Sequence, residues 1–95
     1  MLVWVIYDIS EDKVRNAVVR VCKKYGLYRV QKSAFLGNLN KNEWDSLGIE
    51  CTGLIEEGDS VYVFPMCEEC YQKIALIGEG FDRDLVRDTL GVMVI

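Results

Sequence analysis

The chain contains no histidine and only one proline in 95 residues. Without histidine no side chain titrates near neutrality at its ordinary value, so any general base must come from elsewhere. A zinc site would likewise have to be built without imidazole. The single proline, Pro65, and the scattered glycines leave no linker, repeat or low-complexity stretch. No glycine-rich phosphate loop is present. No apolar run approaches the ~20 residues of a membrane span. The amino terminus lacks a basic region before its apolar stretch and a small-residue cleavage site, so it does not read as a signal peptide. The expectation is a cytoplasmic protein with no membrane partner.

What is present is apolar and asymmetrically charged. Hydrophobic residues make up 51% of the chain, enough for one folded domain over residues 1–95 and for an apolar subunit interface. The formal net charge of −4 argues against a nucleic-acid binder, but its distribution argues for one. Lys13, Arg15, Arg20, Lys23, Lys24, Arg29, Lys32 and Lys41 fall within residues 13–42, which hold no acid. The acids concentrate after that block. One surface suited to a polyanion and another that repels it or meets a basic partner follow from this division. The plainer alternative is a cationic helix face kept for solubility.

The elements read as follows. Leu2 to Tyr7 is an uninterrupted apolar strand ending at Asp8. Ser10 reads as the N-cap of a helix over about 11–25, with Val14, Ala17, Val18, Val21, Cys22 and Tyr25 as its apolar stripe and Gly26 just past its end. A strand is expected over Tyr28 to Leu36, with Arg29, Gln31, Ser33 and Phe35 on one face. Asn40 and Glu43 form a capping box for a helix that turns Trp44, Leu47, Cys51, Leu54 and Ile55 inward. Gly48 and Gly53 weaken that helix. Ser60 to Met66, apolar on both faces, reads as a central strand with Pro65 at its end. A short helix from Cys67 to Lys73, a short strand around Ile74 to Ile77 and a terminal strand over Gly91 to Ile95 follow.

The order is β-α-β-(α)-β-α-β-β. It is assigned to an α+β class, a ferredoxin-like β-α-β-β-α-β sandwich with an extra C-terminal strand. Helices cover one sheet face. The other carries enough Val, Tyr, Phe and Met to need covering too, which a homodimer packed sheet to sheet supplies.

Two readings of Asp8 stand. A carboxylate at a strand end, on the edge of a core, can hold a divalent cation; it can also sit in solvent or face the amides near Ser10. Cys67-Glu68-Glu69-Cys70 reads as a redox pair, half a zinc site, or two small buried thiols. The flanking glutamates oppose thiolate formation, and no second such motif exists in the chain, which favours the buried thiols. Cys22 and Cys51 fall on apolar helical stripes and read as core.

Ile6-Tyr7-Asp8-Ile9-Ser10 followed by Val14-Arg15-Asn16, then Tyr25-Gly26-Leu27 with Arg29 to Phe35, resembles the small CRISPR-associated Cas-two family. Asp59 to Cys67 is similar to that family's second half. The resemblance spans about residues 2–78 and the terminal strand. It implies a homodimer of ferredoxin-like subunits that works with the Cas-one integrase in spacer acquisition. It also implies metal-dependent nuclease activity on RNA or DNA in some members and a DNA-holding scaffold in others. Asp8 matches the family's metal-binding aspartate, and Tyr7, Arg15, Arg29 and Phe35 match positions tied to activity or nucleic-acid contact. A second arginine carried by some relatives two residues after Arg15 is Ala17 here, which counts against strong RNA cleavage.

On that resemblance Asp8, Arg15 and Arg29 are the expected catalytic residues, with Asp8 the ligand of Mg²⁺ or Mn²⁺. Tyr7, Phe35 and Arg20 are expected to contact substrate. One aspartate makes a poor site for a cation wanting about six oxygens, so a two-fold axis bringing two copies of Asp8 together is expected. Arg15 and Arg29 would clamp phosphate, and Phe35 would stack a base. Arg15 pairing with Glu11 or Asp12, and Phe35 as a core residue, are the structural alternatives. The competing functions are a non-catalytic dimeric DNA-holding adaptor, a toxin-type ribonuclease, and a regulatory domain binding a metabolite at its dimer interface.

Overall fold

A computed structural model describes residues 1–80 and the strand residues Met93–Val94. The elements are β1 (Leu2–Asp8), α1 (Asp12–Lys24), β2 (Tyr28–Gln31), β3 (Ala34–Asn38), α2 (Lys41–Thr52), β4 (Ser60–Met66), α3 (Glu68–Gln72), β5 (Ala75–Leu76) and β6 (Met93–Val94). The main sheet is antiparallel in the order β2-β3-β1-β4, the ferredoxin-like arrangement. β5 and β6 pair in parallel as a separate two-stranded sheet. The terminal strand expected over Gly91–Ile95 is thus seen as β6, paired within its own chain; the rest of that stretch lies outside the described residues.

Side chains alternate across β1, and this divides the molecule. Val3, Val5 and Tyr7 face the helices and join Val14, Val18, Cys22, Phe35, Leu47 and Cys51 in the larger core cluster. Leu2, Trp4, Ile6 and Asp8 alternate onto the other face. There Leu2 and Trp4 pack with Val30, Leu36, Tyr71 and Leu76 in a second, smaller cluster that α3 and β5 cover. Beyond that cover the face is open: Ile6, Tyr62 and Phe64 are exposed, and the rings of Tyr62 and Phe64 stack with centroids 5.8 Å apart.

Local signals explain most boundaries. Asn40 and Glu43 cap α2 reciprocally at 2.9 Å, Glu43 N–H donating to Asn40 Oδ1 and Asn40 N–H to Glu43 Oε1. Gly26 takes φ +78° past α1, where a side chain would be strained. Gly37 is tight for a different reason: a Cβ there would lie 2.8 Å from Leu27 Cδ2 and 3.3 Å from Leu27 Cα, so a larger residue would have to shift the buried Leu27.

Three expectations are corrected. The single strand over 28–36 is a hairpin, β2 and β3, turning at Lys32-Ser33 with a bulge between Arg29 and Gln31. The turn carries no glycine, proline or asparagine, so nothing in the residues marked it. Arg29 and Phe35 do share a face, but as cross-strand partners rather than by parity along one strand. β4 lies at the sheet edge rather than its centre, where Pro65 lacks no ladder partner it needs; its apolar residues divide between the helix-covered face, with Val61 and Val63, and the open face, with Tyr62 and Phe64. Ser10 is not the N-cap of α1. Glu11 holds that position without a side-chain bond, and the Ser10 amide is taken by Asp59.

Candidate active site

Asp8, the last residue of β1, is exposed and pairs with Ser60 of β4. Its carboxylate makes no hydrogen bond or ion pair among the described residues. The neighbouring acid behaves oppositely. Asp59 accepts from Ser10 N–H at 3.4 Å and Glu56 N–H at 3.0 Å, which fixes the loop after β1 against the start of β4. The residues alone did not mark this role for Asp59, because its partners are backbone amides, which carry no residue-type signal.

The expected arginines are already engaged. Arg15 Nη1 donates to the Ile9 carbonyl at 3.1 Å, and Arg15 pairs with Asp12 one helical turn away. This is the bland alternative, and it ties α1 to the chain leaving Asp8. Arg29 Nη2 donates to the Lys32 carbonyl at 2.8 Å and to Tyr7 Oη at 3.3 Å, while its charge lies 5.7 Å from the Phe35 ring centroid. Tyr7 Oη donates to the same Lys32 carbonyl at 2.8 Å. Tyr7, Arg29 and Phe35 are therefore one cluster, bracing the β2–β3 turn against the end of β1.

That cluster and Asp8 occupy the same end of the sheet but opposite faces, because Tyr7 and Asp8 are adjacent along a strand. Phe35 is wholly buried in the larger core, so the expected stacking of a base on it is corrected: its ring has no exposed surface to offer. Tyr7 is buried as well and acts through its hydroxyl. Arg20 is exposed on α1, beside a groove lined by Lys24, Ile49 and Glu50, away from Asp8. Among the described residues Lys13, Arg20, Lys23 and Lys32 have no acidic partner, whereas Lys24 and Lys41 pair with Glu50 and Asp45.

The donor set sets a limit on metal binding. Among the described residues no three of His, Cys, Asp and Glu converge on a point that could hold an ion. At the sheet end where these elements meet, the unpartnered carboxylate among the described residues is Asp8, at the end of β1. This fits a hard cation only where a second copy, substrate phosphate oxygens and water supply the remaining ligands.

These features define a class: a ferredoxin-like α+β protein with an open apolar sheet face rimmed by a free carboxylate. The sequence profile of the family described as CRISPR associated protein Cas2 matches residues 1–74, and the chain belongs to that family. It is 38% identical over 89 residues to the CRISPR-associated endoribonuclease Cas2 1 of Archaeoglobus fulgidus, covering 93% of this chain and 94% of that one. It is 35% identical over 79 residues to the CRISPR-associated endoribonuclease Cas2 of Korarchaeum cryptofilum, covering 82% and 85%. In structure it is similar to Streptococcus pyogenes Cas2, with a TM-score of 0.69 at 26% identity over 82% of this chain and all of that one.

Proposed function

We propose that this protein is a CRISPR adaptation protein that acts as a homodimer, binds nucleic acid, works with the Cas-one integrase and cleaves phosphodiester bonds with Mg²⁺ or Mn²⁺ at Asp8. The observation that carries the reading is the place of Asp8: an unpartnered carboxylate on the same sheet face as exposed Ile6, Tyr62 and Phe64. Packing two such faces together would cover the apolar surface and bring two Asp8 carboxylates toward one another. The endoribonuclease names of the relatives support RNA as the first substrate to test.

An ion held by the two carboxylates would neutralise charge developing on phosphorus and acidify a water. The chain's own residues do the positioning. Arg15 and Asp59 hold the loop that follows Asp8, and Arg29 with Tyr7 holds the β2–β3 turn beside it. The exposed edges of Arg15 and Arg29, with Lys13 and Lys32, are suited to contact backbone phosphates.

Matched RNA and duplex DNA, incubated with Mg²⁺ or Mn²⁺ and compared between the native protein and Asp8→Asn, test this. Cleavage lost in the variant with dimer and binding intact is expected. Equal cleavage by both proteins, or none by either, would reject the nuclease.

One observation favours a second reading, the non-catalytic DNA-holding adaptor: both arginines are engaged by their own chain, while Lys13, Arg20, Lys23 and Lys32 are free among the described residues. That reading expects duplex binding that falls steeply with salt, survives Asp8→Asn and weakens on charge reversal at Arg20.

A further inference from the structure

The Cys67-x-x-Cys70 motif is not absorbed by the function above, and its setting differs from expectation. Both thiols are exposed rather than buried. Cys67 caps α3, and its Sγ accepts the Cys70 N–H at 3.4 Å. The other two cysteines, Cys22 and Cys51, are buried in the core between α1 and α2.

Geometry permits a bond between the exposed pair. Residues three apart on a helical turn have Cα atoms about 5 Å apart, inside the ~4.4–6.8 Å that disulfides span. Cys67 Sγ already lies against the first turn of α3, 3.4 Å from the Cys70 amide. Because both sulfurs face solvent, a reagent can reach either one.

We propose that Cys67 and Cys70 form a thiol–disulfide exchange site that takes oxidising equivalents from a low-molecular-weight or protein disulfide. Cys67 thiolate attacks one sulfur of that disulfide, forming a mixed disulfide and releasing one thiolate. Cys70, losing its proton to solvent, attacks Cys67 Sγ and releases the second thiol. One disulfide is reduced to two thiols, and one protein disulfide forms.

The two thiols are unequal in the direction this order requires. The Cys70 amide and the Cys70 thiol, both hydrogen-bonded to Cys67 Sγ, hold the Cys67 thiol below its ordinary value, against desolvation and the Glu69 charge. Cys70 is raised by that same hydrogen bond and by the Cys67 charge. The core thiols are unsuited to exchange: burial raises Cys51 and pushes Cys22 up to about 12.

The bond would close immediately ahead of Tyr71, the buried residue of α3 that packs against Val30, Leu36 and Leu76 on the second sheet face. Oxidation would thereby fix the first turn of the element that covers part of that face.

The test uses the full chain, reduced and kept with a chelator so that no soft metal masks the thiols. It is equilibrated against oxidised and reduced glutathione at graded ratios, acid-quenched, alkylated and mapped by mass. The expected result is one intramolecular disulfide between Cys67 and Cys70 at oxidising ratios, with Cys22 and Cys51 alkylated only after denaturation. Cys70→Ser should trap glutathione on Cys67, and Cys67→Ser should slow glutathionylation at least tenfold. Four free thiols at every ratio, a Cys67 bridge between two chains, or equal reactivity of Cys67 and Cys70 in the single variants would each overturn the proposal. Both substitutions are at exposed positions, and circular dichroism checks that the variants fold.

Discussion

Arg29 and Phe35 stand opposite one another in the β2–β3 hairpin, the guanidinium 5.7 Å from the centroid of a ring that has no solvent exposure. The arginine is held there by the Lys32 carbonyl and the Tyr7 hydroxyl, so its geometry belongs to the fold before it belongs to any substrate. Loss of activity in variants at either position therefore has a structural route, and the two routes can be separated.

Phe35→Ala should lower stability by about 3–5 kcal/mol, the cost of emptying a large core site. Phe35→Leu should cost under half of that and keep nucleic-acid affinity. Arg29→Ala should lose about 1–2 kcal/mol of stability through two hydrogen bonds, to the Lys32 carbonyl and the Tyr7 hydroxyl, and one ring contact. Chemical denaturation measures all three. An Arg29→Ala variant of native stability that binds nucleic acid less well would make Arg29 a substrate residue and not a brace.

Tyr71 carries the only buried side-chain polar atom without a hydrogen-bond partner among the described residues, its hydroxyl. Burial pushes that phenol up to about 12. Leaving a polar group unpaired costs about 1–3 kcal/mol, so Tyr71→Phe should raise the stability of the protein. Thermal unfolding at fixed protein concentration reads the sign. A fall in Tm would mean that the hydroxyl meets a partner from another chain.

Glu50 joins the two helices by accepting from Tyr25 Oη at 2.5 Å and pairing with Lys24. Those two hydrogen bonds hold its carboxyl below the ordinary value. A carboxyl with a lower pKa folded than unfolded stabilises the fold above its unfolded value and stops doing so as pH falls through the folded one. Lys24 and Tyr25 are raised by the same bonds, so their share is lost only in strong base. The group is exposed and solvent screens it, so the effect is small. Glu50→Gln should therefore lower stability slightly at neutral pH and flatten its decline below about pH 4.5, the ordinary carboxyl value here. Unchanged acid sensitivity in the variant would remove this interaction from the account.

Much of this molecule was legible in its residues because the signals were local. The Asn40–Glu43 box, Gly26 after α1, the alternation of β1 and the span of β4 all follow from neighbours in sequence. The hairpin was not legible, because Lys32-Ser33 lacks turn chemistry and the bulge at Arg29–Gln31 is set by pairing with β3. At the site, Asp8 was placed correctly at a strand end. Alternation along β1 puts Asp8 and Tyr7 on opposite faces, a separation the expected grouping of Asp8, Arg15 and Arg29 did not draw; the arginines' partners were not legible either, since Ile9 and Lys32 contribute backbone carbonyls that carry no residue-type signal. Asp59 escaped for the same reason: what it binds are amides.

The open sheet face carries the last prediction. Tyr62 and Phe64 project from edge strand β4 beside Ile6, each more than a third exposed, and their rings stack within 4° of parallel. Stacked aromatics that no described residue covers are a poor face to leave in water and a good centre for an interface. Tyr62→Arg adds a charge at the middle of that face without touching the core beneath the helices. If two copies pair there, the substitution places two cations against apolar surface and should weaken association by about 2–4 kcal/mol. Sedimentation velocity should then show monomers at concentrations where the native protein is dimeric. Metal-dependent cleavage should fall with the dimer, since Asp8 would lose its twin, and should recover in part at high protein concentration. A dimer that survives Tyr62→Arg would place the interface elsewhere and leave one Asp8 per site. A monomer that still cleaves at the native rate would show that a single carboxylate, with phosphate and water, is enough to hold the ion.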